Sequence, residues 1–192
     1  RSQFLAGSGG TVSTTVNAGR ARYVGIEVEA AAAVTDELTL SANFGYIDRK
    51  FTDFDLRDPA TDDLVDIADD ARFNGSASTT LSAAAEYRKP LPFGELGARL
   101  DYSYRSRVYY TTTELVNPFH ETISDAPVGL LDARLTLSDI DLGGGKLAIS
   151  GWVKNLTNEV HQLWGVDFGS LGFATVNYAE PRTWGIDLKV SY

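Results

Sequence analysis

Apolar and polar residues alternate one by one along most of this chain, the spacing of a strand with two unlike faces. In 20–33, Val24, Ile26, Val28, Ala30 and Ala32 are apolar, while Glu27 and Glu29 fall between them. In 38–50, Leu38, Leu40, Ala42, Phe44 and Tyr46 alternate with Thr39, Ser41, Asn43 and Gly45. The rhythm continues through 73–88 on Leu81, Ala83, Ala85 and Tyr87, and through 95–110 on Leu96, Ala98, Leu100, Tyr102 and Tyr104. It returns in 129–138 on Leu131, Ala133, Leu135 and Leu137, in 146–156 on Leu147, Ile149, Gly151 and Val153, and in 180–192 on Trp184, Ile186, Leu188, Val190 and Tyr192. These segments are seven predicted strands, most of ten or more residues. Strands of soluble proteins centre on about five or six residues, whereas a tilted strand crossing a bilayer needs about nine to eleven. Residues 1–17 are read as the end of an eighth strand, weakened by Gly7, Gly9 and Gly10.

The connections alternate in length. Short turns are predicted at 34–37, 88–94 and 139–145, and long loops at 48–72, 111–128 and 155–179. An up-and-down membrane barrel has short turns at one end and long loops at the other. The polar faces carry charges in mid-strand: Arg99, Asp101, Arg105, Asp132, Arg134, Asp187 and Lys189. A closed soluble core would bury these at great cost, whereas a solvated or plugged lumen holds them. The apolar face is therefore the outer one. Its aromatics gather toward the strand ends, with Tyr46, Tyr102, Tyr104 and Trp184 at one end and Tyr87 and Tyr192 at the other. They read as two interfacial girdles. The fold class expected is all-β, with antiparallel up-and-down strands of a transmembrane β-barrel.

Composition narrows the picture. The 192 residues contain no run of eighteen apolar residues that would make a membrane-spanning helix. The mean hydropathy of −0.14 fits a barrel as well as a soluble protein, because only alternate residues of a barrel face lipid. A net charge of −9 argues against a general nucleic-acid binder. With no cysteine, disulfides and thiolate metal sites are excluded. The chain has no Met and opens on Arg1 without a signal peptide, so it is read as a processed protein or a piece of a longer one.

Three stretches carry a family resemblance. Asn17-Ala18-Gly19-Arg20-Ala21-Arg22-Tyr23-Val24-Gly25-Ile26-Glu27-Val28-Glu29 is a small loop leading into a strand that reads glycine, hydrophobic, glutamate. Trp152-Val153-Lys154-Asn155-Leu156-Thr157-Asn158-Glu159 resembles the end of a penultimate strand, and Tyr178-Ala179-Glu180-Pro181-Arg182-Thr183-Trp184-Gly185-Ile186 the start of a last strand closing on an aromatic, here Tyr192. In this order, the three resemble the C-terminal end of TonB-dependent outer-membrane receptors. The resemblance implies a plugged barrel of about 22 strands, of which this is roughly the last third, without the plug domain. It implies the outer membrane of a Gram-negative bacterium and active uptake of a scarce nutrient such as a ferric siderophore, with no enzymatic activity and no cofactor. The partners implied are outer-membrane lipid and lipopolysaccharide, the rest of the barrel and its plug, the TonB system through the missing N-terminal part, the barrel-assembly machinery, and a small ligand such as a metal chelate. Leu188, Val190 and Tyr192 resemble the terminal signal read by that machinery, against the plainer reading of an ordinary final strand with an aromatic anchor.

Other candidates are weighed against plainer readings. The segment 48–72 holds nine aspartates, which could ligate calcium, but their spacing does not match an EF-hand and a solvated surface loop is the favoured reading. His120 and His161, the only histidines, and Trp164 lie in long loops and are candidate ligand contacts, with simple exposure or loop packing as the alternative. Gly143-Gly144-Gly145-Lys146 lacks the spacing and the hydroxyl of a phosphate loop and reads as a turn. Neither a catalytic triad nor a paired-carboxylate site stands out. Two further architectures compete with the receptor: a self-contained barrel of about eight strands with a structural or adhesive role, and a soluble β-sandwich whose apolar faces meet in one core. Seven strands alone would leave two open edges in lipid, so the isolated piece is not expected to insert stably.

Overall fold

The computed structural model describes residues 2–8 and 12–192, the first of these to Ala18 by their backbone; Arg1 and 9–11, with Gly9 and Gly10, lie outside the described residues. In chain order the strands are β1 (Ser2–Ser8), β2 (Val12–Ala18), β3 (Arg20–Ala33), β4 (Leu38–Asp53), β5 (Asp55–Arg57), β6 (Leu64–Asp66), β7 (Thr79–Leu91), β8 (Gly94–Arg105), β9 (Val128–Asp141), β10 (Lys146–Lys154), β11 (Gln162–Phe168), β12 (Phe173–Tyr178) and β13 (Thr183–Ser191). The seven long strands form one sheet in the order β13-β10-β9-β8-β7-β4-β3, with each neighbouring pair antiparallel. All seven predicted strands are present, and the meander is up-and-down. The N-terminal segment read as the end of an eighth strand holds two strands, β1 and β2, which pair with each other as a separate two-stranded sheet instead of extending this one.

Register puts every apolar series on one side. One cross-strand row runs Ala30, Ala42, Ala83, Tyr102, Leu131, and the next toward the short turns runs Ala32, Leu40, Ala85, Leu100, Ala133, Val153, Trp184. The opposite face carries rows such as Ser41, Ala84, Asp101, Asp132. A slip of one residue would turn each series to the other face, so the alternation limits the register of each pair to shifts of an even number of residues. No second layer covers the apolar face among the described residues: Ile26, Leu100, Leu135, Ile186 and Leu188 are all exposed. The sandwich expectation therefore fails, because the apolar faces lie side by side on one sheet rather than against each other. No helix among the described residues is long and apolar enough to cross a membrane.

The buried core lies at the end carrying the long loops. Phe51 at the end of β4 packs with Phe54, Leu56, Ile67 and Ala71, and stacks flat on Phe73 with ring centroids 4.0 Å apart. The first long loop is thus a folded unit around the β5–β6 hairpin, which corrects the expectation of a merely solvated loop. Phe51, Phe54, Leu56, Ile67 and Ala71 point inward, Leu64 and Val65 remain exposed, and the aspartates stay outside and shape turns: the Asp58 carboxylate accepts from the Ala60 N–H and the Asp66 carboxylate from the Ala68 N–H.

Some boundaries differ from the sequence reading for local reasons. Residues 73–78 belong to the loop, and the Ser106 hydroxyl caps the start of β7 by accepting the N–H groups of Ser78 and Thr79. The turn expected over 88–94 shrinks to Pro92 and Phe93. The last strand begins at Thr183 rather than 180, since Pro181 has no N–H for a ladder.

Candidate functional site

Among the described residues, the loop end holds the one place where side chains from distant segments converge around a buried carboxylate. Asp125, 3% exposed, closes the second long loop (106–127). Its carboxylate takes a salt bridge from Arg105 at the end of β8 and accepts the backbone N–H of Gln162 at the start of β11 (2.9 Å). The Gln162 carbonyl in turn accepts from Arg105 (3.1 Å) and from the Tyr110 hydroxyl (3.0 Å). Burial pushes the Tyr110 phenol above its usual value. Further along, the Phe119 N–H donates to Asp167 of β11 (2.8 Å), and Gly165 lies so close to Ile123 that a side chain there would collide. The second and third long loops are thereby docked on each other.

His120 and Tyr109 anchor the second loop. The rings stack with centroids 4.8 Å apart and 9° between planes, and His120 Nδ1 shares a hydrogen bond with the Thr111 hydroxyl (2.7 Å). The guanidinium groups of Arg72 and Arg107 lie 5.9 and 6.0 Å from the Tyr109 ring. His120 is only 3% exposed. Desolvation holds its pKa below the ordinary 6.5; Arg72 adds to that, and Glu121, Glu114 and Asp167 oppose it. His161 sits half-buried with its Nδ1 lacking a hydrogen-bond partner, whereas Trp164, on β11, is half exposed. No group of three metal-ligating side chains occurs among the described residues, in the aspartate-rich segment or around the histidines.

The charged face of the sheet is a ladder of ion pairs. Arg99 bridges Asp101 (2.6 Å) and Glu86 (3.3 Å), and Arg134 pairs with Asp187 (2.9 Å), which also accepts the Trp152 indole N–H (3.2 Å). Gly185 makes room for the Trp152 ring. Like charges face each other directly, Arg99 opposite Arg134 and Asp101 opposite Asp132. The pairing of Arg99 with Asp101 on its own strand and with Glu86 directly opposite, and of Arg134 with Asp187 across β10, offsets a juxtaposition that would otherwise destabilise the strands.

The outer-face tyrosines and Trp184 follow two oblique lines, with Phe44 one row inside Tyr46 on β4. From β4 to β13, Tyr46, Tyr104, Tyr102 and Trp184 each occupy a row one step nearer the short turns, three rows over five strand spacings. At the other end, Tyr87 shares its row with Ile186, and Tyr192 lies three alternate positions beyond Ile186 through Leu188 and Val190. Among the described residues β13 pairs on one edge only, with β10, so Leu188, Val190 and Tyr192 line an open, exposed edge strand.

Two of the sequence stretches meet at the base of the third loop. Asn155 and Asn158 both adopt left-handed backbone, φ 52° and 59°, where asparagine is one of the few tolerated side chains. Asn155 donates to the Glu159 carbonyl and accepts its N–H, and its own N–H donates to Asp132. The Asn158 side-chain amide oxygen accepts the Arg182 backbone N–H, and the Arg182 guanidinium donates to the Leu156 carbonyl. Sequence reading singled out these residues without this reason. It missed Asp125, Tyr109, Tyr110 and Gln162, which carry no periodic signal and matter only through contacts distant in sequence.

Comparison with known proteins agrees with this architecture. The family model "TonB dependent receptor-like, beta-barrel" matches residues 2–156. The solved ferric yersiniabactin uptake receptor FyuA from Yersinia pestis is similar in fold, with a TM-score of 0.69 at 20% identity over 93% of this chain. The ferric preacinetobactin receptor BauA from Acinetobacter baumannii matches over 100% of the chain, with a TM-score of 0.64 at 17% identity. The chain spans about a quarter of each, 25% of their length. No curated protein matches the sequence. A one-sided, up-and-down antiparallel sheet with a charged inner face, matched by the family model over most of its length, places this chain in the TonB-dependent receptor β-barrel family.

Proposed function

We propose that this chain forms part of the wall and mouth of an outer-membrane receptor that takes up a scarce nutrient, a metal chelate such as a ferric siderophore, in a Gram-negative bacterium. The observation that carries the reading is the pair of oblique aromatic lines, inclined in the same sense, that bound the apolar face. On the line from Tyr46 to Trp184, three rows are six residues, about 20 Å of strand, over five strand spacings, about 24 Å, so it crosses the hydrogen-bond rows at about 40°; from Tyr87 to Tyr192 the same three rows span four spacings, about 19 Å, which gives about 46°. Strands of outer-membrane barrels tilt by about 35–45°. The lines are thus level if the strands lie in a bilayer at the usual tilt, with Tyr46, Tyr102, Tyr104 and Trp184 at the outer interface and Tyr87 and Tyr192 at the inner one.

The remaining assignments follow from that orientation. The charged face lines a lumen and meets the plug contributed by the rest of the receptor, which couples to the TonB system. The docked loops, with His120, His161 and Trp164, border the outer mouth where a ligand arrives. Leu188, Val190 and Tyr192 serve the barrel-assembly machinery as a terminal strand signal. Lipid and lipopolysaccharide cover the apolar face. The work is transport rather than catalysis. A self-contained barrel has less support, because β3 and β13 do not pair and β1–β2 joins neither edge among the described residues.

Disrupting the parent gene tests the reading. Under iron limitation, the disrupted strain is expected to lose accumulation of at least one radiolabelled ferric chelate from a panel of catecholates, hydroxamates and mixed-ligand chelates. The loss should be reproduced by dissipating the inner-membrane proton gradient. Unchanged accumulation of every chelate would refute uptake of such ligands.

A further inference from the structure

The alanines of the outward face lie together. Ala30, Ala42 and Ala83 are partners in one cross-strand row, and Ala85 stands in the next row toward the short turns. The neighbouring positions carry Leu100 and Tyr102, so the surface sinks between them into an apolar concavity of about 430 Å³. That volume is typical of a small-molecule site. The concavity runs from the middle of the aromatic-bounded band toward its short-turn side.

A second feature lies on the same strand. Lys89 follows Ala83, Ala85 and Tyr87 at alternate positions of β7, one row beyond the inner aromatic line, opposite Leu96. Between the aromatic lines and this row it is the one charged residue on the outward face among the described residues. It is exposed and no acid among the described residues pairs with it, whereas Arg88 beside it, on the inner face, is held by Glu86.

We propose that the concavity and Lys89 together seat one anionic glycerophospholipid of the periplasm-facing leaflet. An acyl chain lies in the alanine trough, and the headgroup phosphate meets the Lys89 ammonium. The lengths agree. From Lys89 to Ala83 is six residues, about 20 Å of strand, which at a tilt of about 40° is about 15 Å along the membrane normal. One leaflet of hydrocarbon is about that deep. The sign of charge selects an anionic headgroup, since each lysine at a membrane surface favours anionic lipid. A protein partner is the poorer occupant, because a stable interface takes roughly 800 Å² per partner and would have to cover the convex rows around the concavity as well.

The inference rests on the membrane reading above, and its test separates the two. The intact receptor is reconstituted in vesicles of equal parts phosphatidylglycerol and phosphatidylcholine, extracted in mild detergent and weighed by native mass spectrometry. Insertion is scored independently by heat-modifiable migration. One retained phosphatidylglycerol is expected on the parent protein. Lys89→Gln should cut the preference for phosphatidylglycerol over phosphatidylcholine about fivefold. Ala83→Phe, which fills the trough on a face that already carries Phe44 and Tyr102, should remove retention of both lipids. An inserted receptor that keeps neither lipid, keeps both equally, or keeps its lipid through both substitutions would overturn the proposal and leave the membrane reading intact. The same holds if lipopolysaccharide or a second receptor copy occupies the trough. Failure to insert would overturn both.

Discussion

Asp125→Asn isolates the charge that docks the second long loop on the third. The substitution preserves shape and the two backbone hydrogen bonds between Val108 and Asp125 (3.0 and 2.9 Å). It removes the negative charge opposite Arg105, leaving that guanidinium with the Gln162 carbonyl as its other acceptor. Breaking a fully buried ion pair costs about 3–5 kcal/mol. The Asp125 side chain is 5% exposed, but that of Arg105 is 28% exposed and can recover part of its hydration. The local cost is therefore about 2 kcal/mol, taken from the lower end of charged hydrogen-bond energies. At about 1.4 kcal/mol per factor of ten, the docked loops should open about 30-fold more often. Hydrogen exchange read by mass spectrometry measures this directly, because the Gln162 N–H donates to the Asp125 carboxylate. Peptides covering 106–127 and 160–168 should exchange faster by that factor, while the seven-stranded sheet is unaffected. Asp101→Asn supplies the contrast: Arg99 and Asp101 are 47% and 44% exposed, so its loss should cost no more than about 1 kcal/mol. Unchanged exchange in the docked loops of Asp125→Asn, or an equal effect from Asp101→Asn, would refute the reasoning.

Other consequences follow from the same contacts. His120 has a lowered pKa in the folded loop, so the folded state binds fewer protons than the unfolded state as pH falls below 6.5; its contribution is complete above that value and is lost below it. Between about pH 8 and pH 5, exchange protection of 106–127, corrected for intrinsic rates, should fall in the parent and stay level in His120→Gln. Asn155→Ala loses two side-chain hydrogen bonds and must hold φ 52°, a cost of about 2–4 kcal/mol in unfolding free energy, whereas Asn155→Gly should restore about 1 kcal/mol of it. Brominated acyl chains should quench Trp184, which is 76% exposed on the outward face, but not Trp152 beside Asp187; Trp184→Phe should therefore reduce the quenching, and Trp152→Phe should leave it unchanged. Tyr192→Ala should lower the amount of folded, heat-modifiable receptor in the outer membrane without changing its synthesis, as measured by immunoblotting of heated and unheated samples.

The sequence alone determined the sheet. Strict alternation over ten or more residues admits one pairing of faces, and the residues Val24 to Ala32 or Trp184 to Tyr192 announce their side before any partner is known. Loop length by end and the charged inner positions were equally legible, because each is a local property of the chain. The loops were not. Nine aspartates in 48–72 read as a solvated segment, yet Phe51, Phe54, Leu56 and Ile67 between them close a small core with no short-range period to reveal it. The hairpin of β11 and β12, the buried Arg105–Asp125 pair and the stacking of His120 on Tyr109 join residues that are adjacent only after folding. The oblique aromatic lines and the trough of Ala30, Ala42 and Ala83 likewise depend on how strands are staggered against each other, and only the tertiary structure sets that stagger. Alternation says which face a side chain takes, whereas height in a bilayer and contact between loops depend on register across strands, which a single strand does not encode.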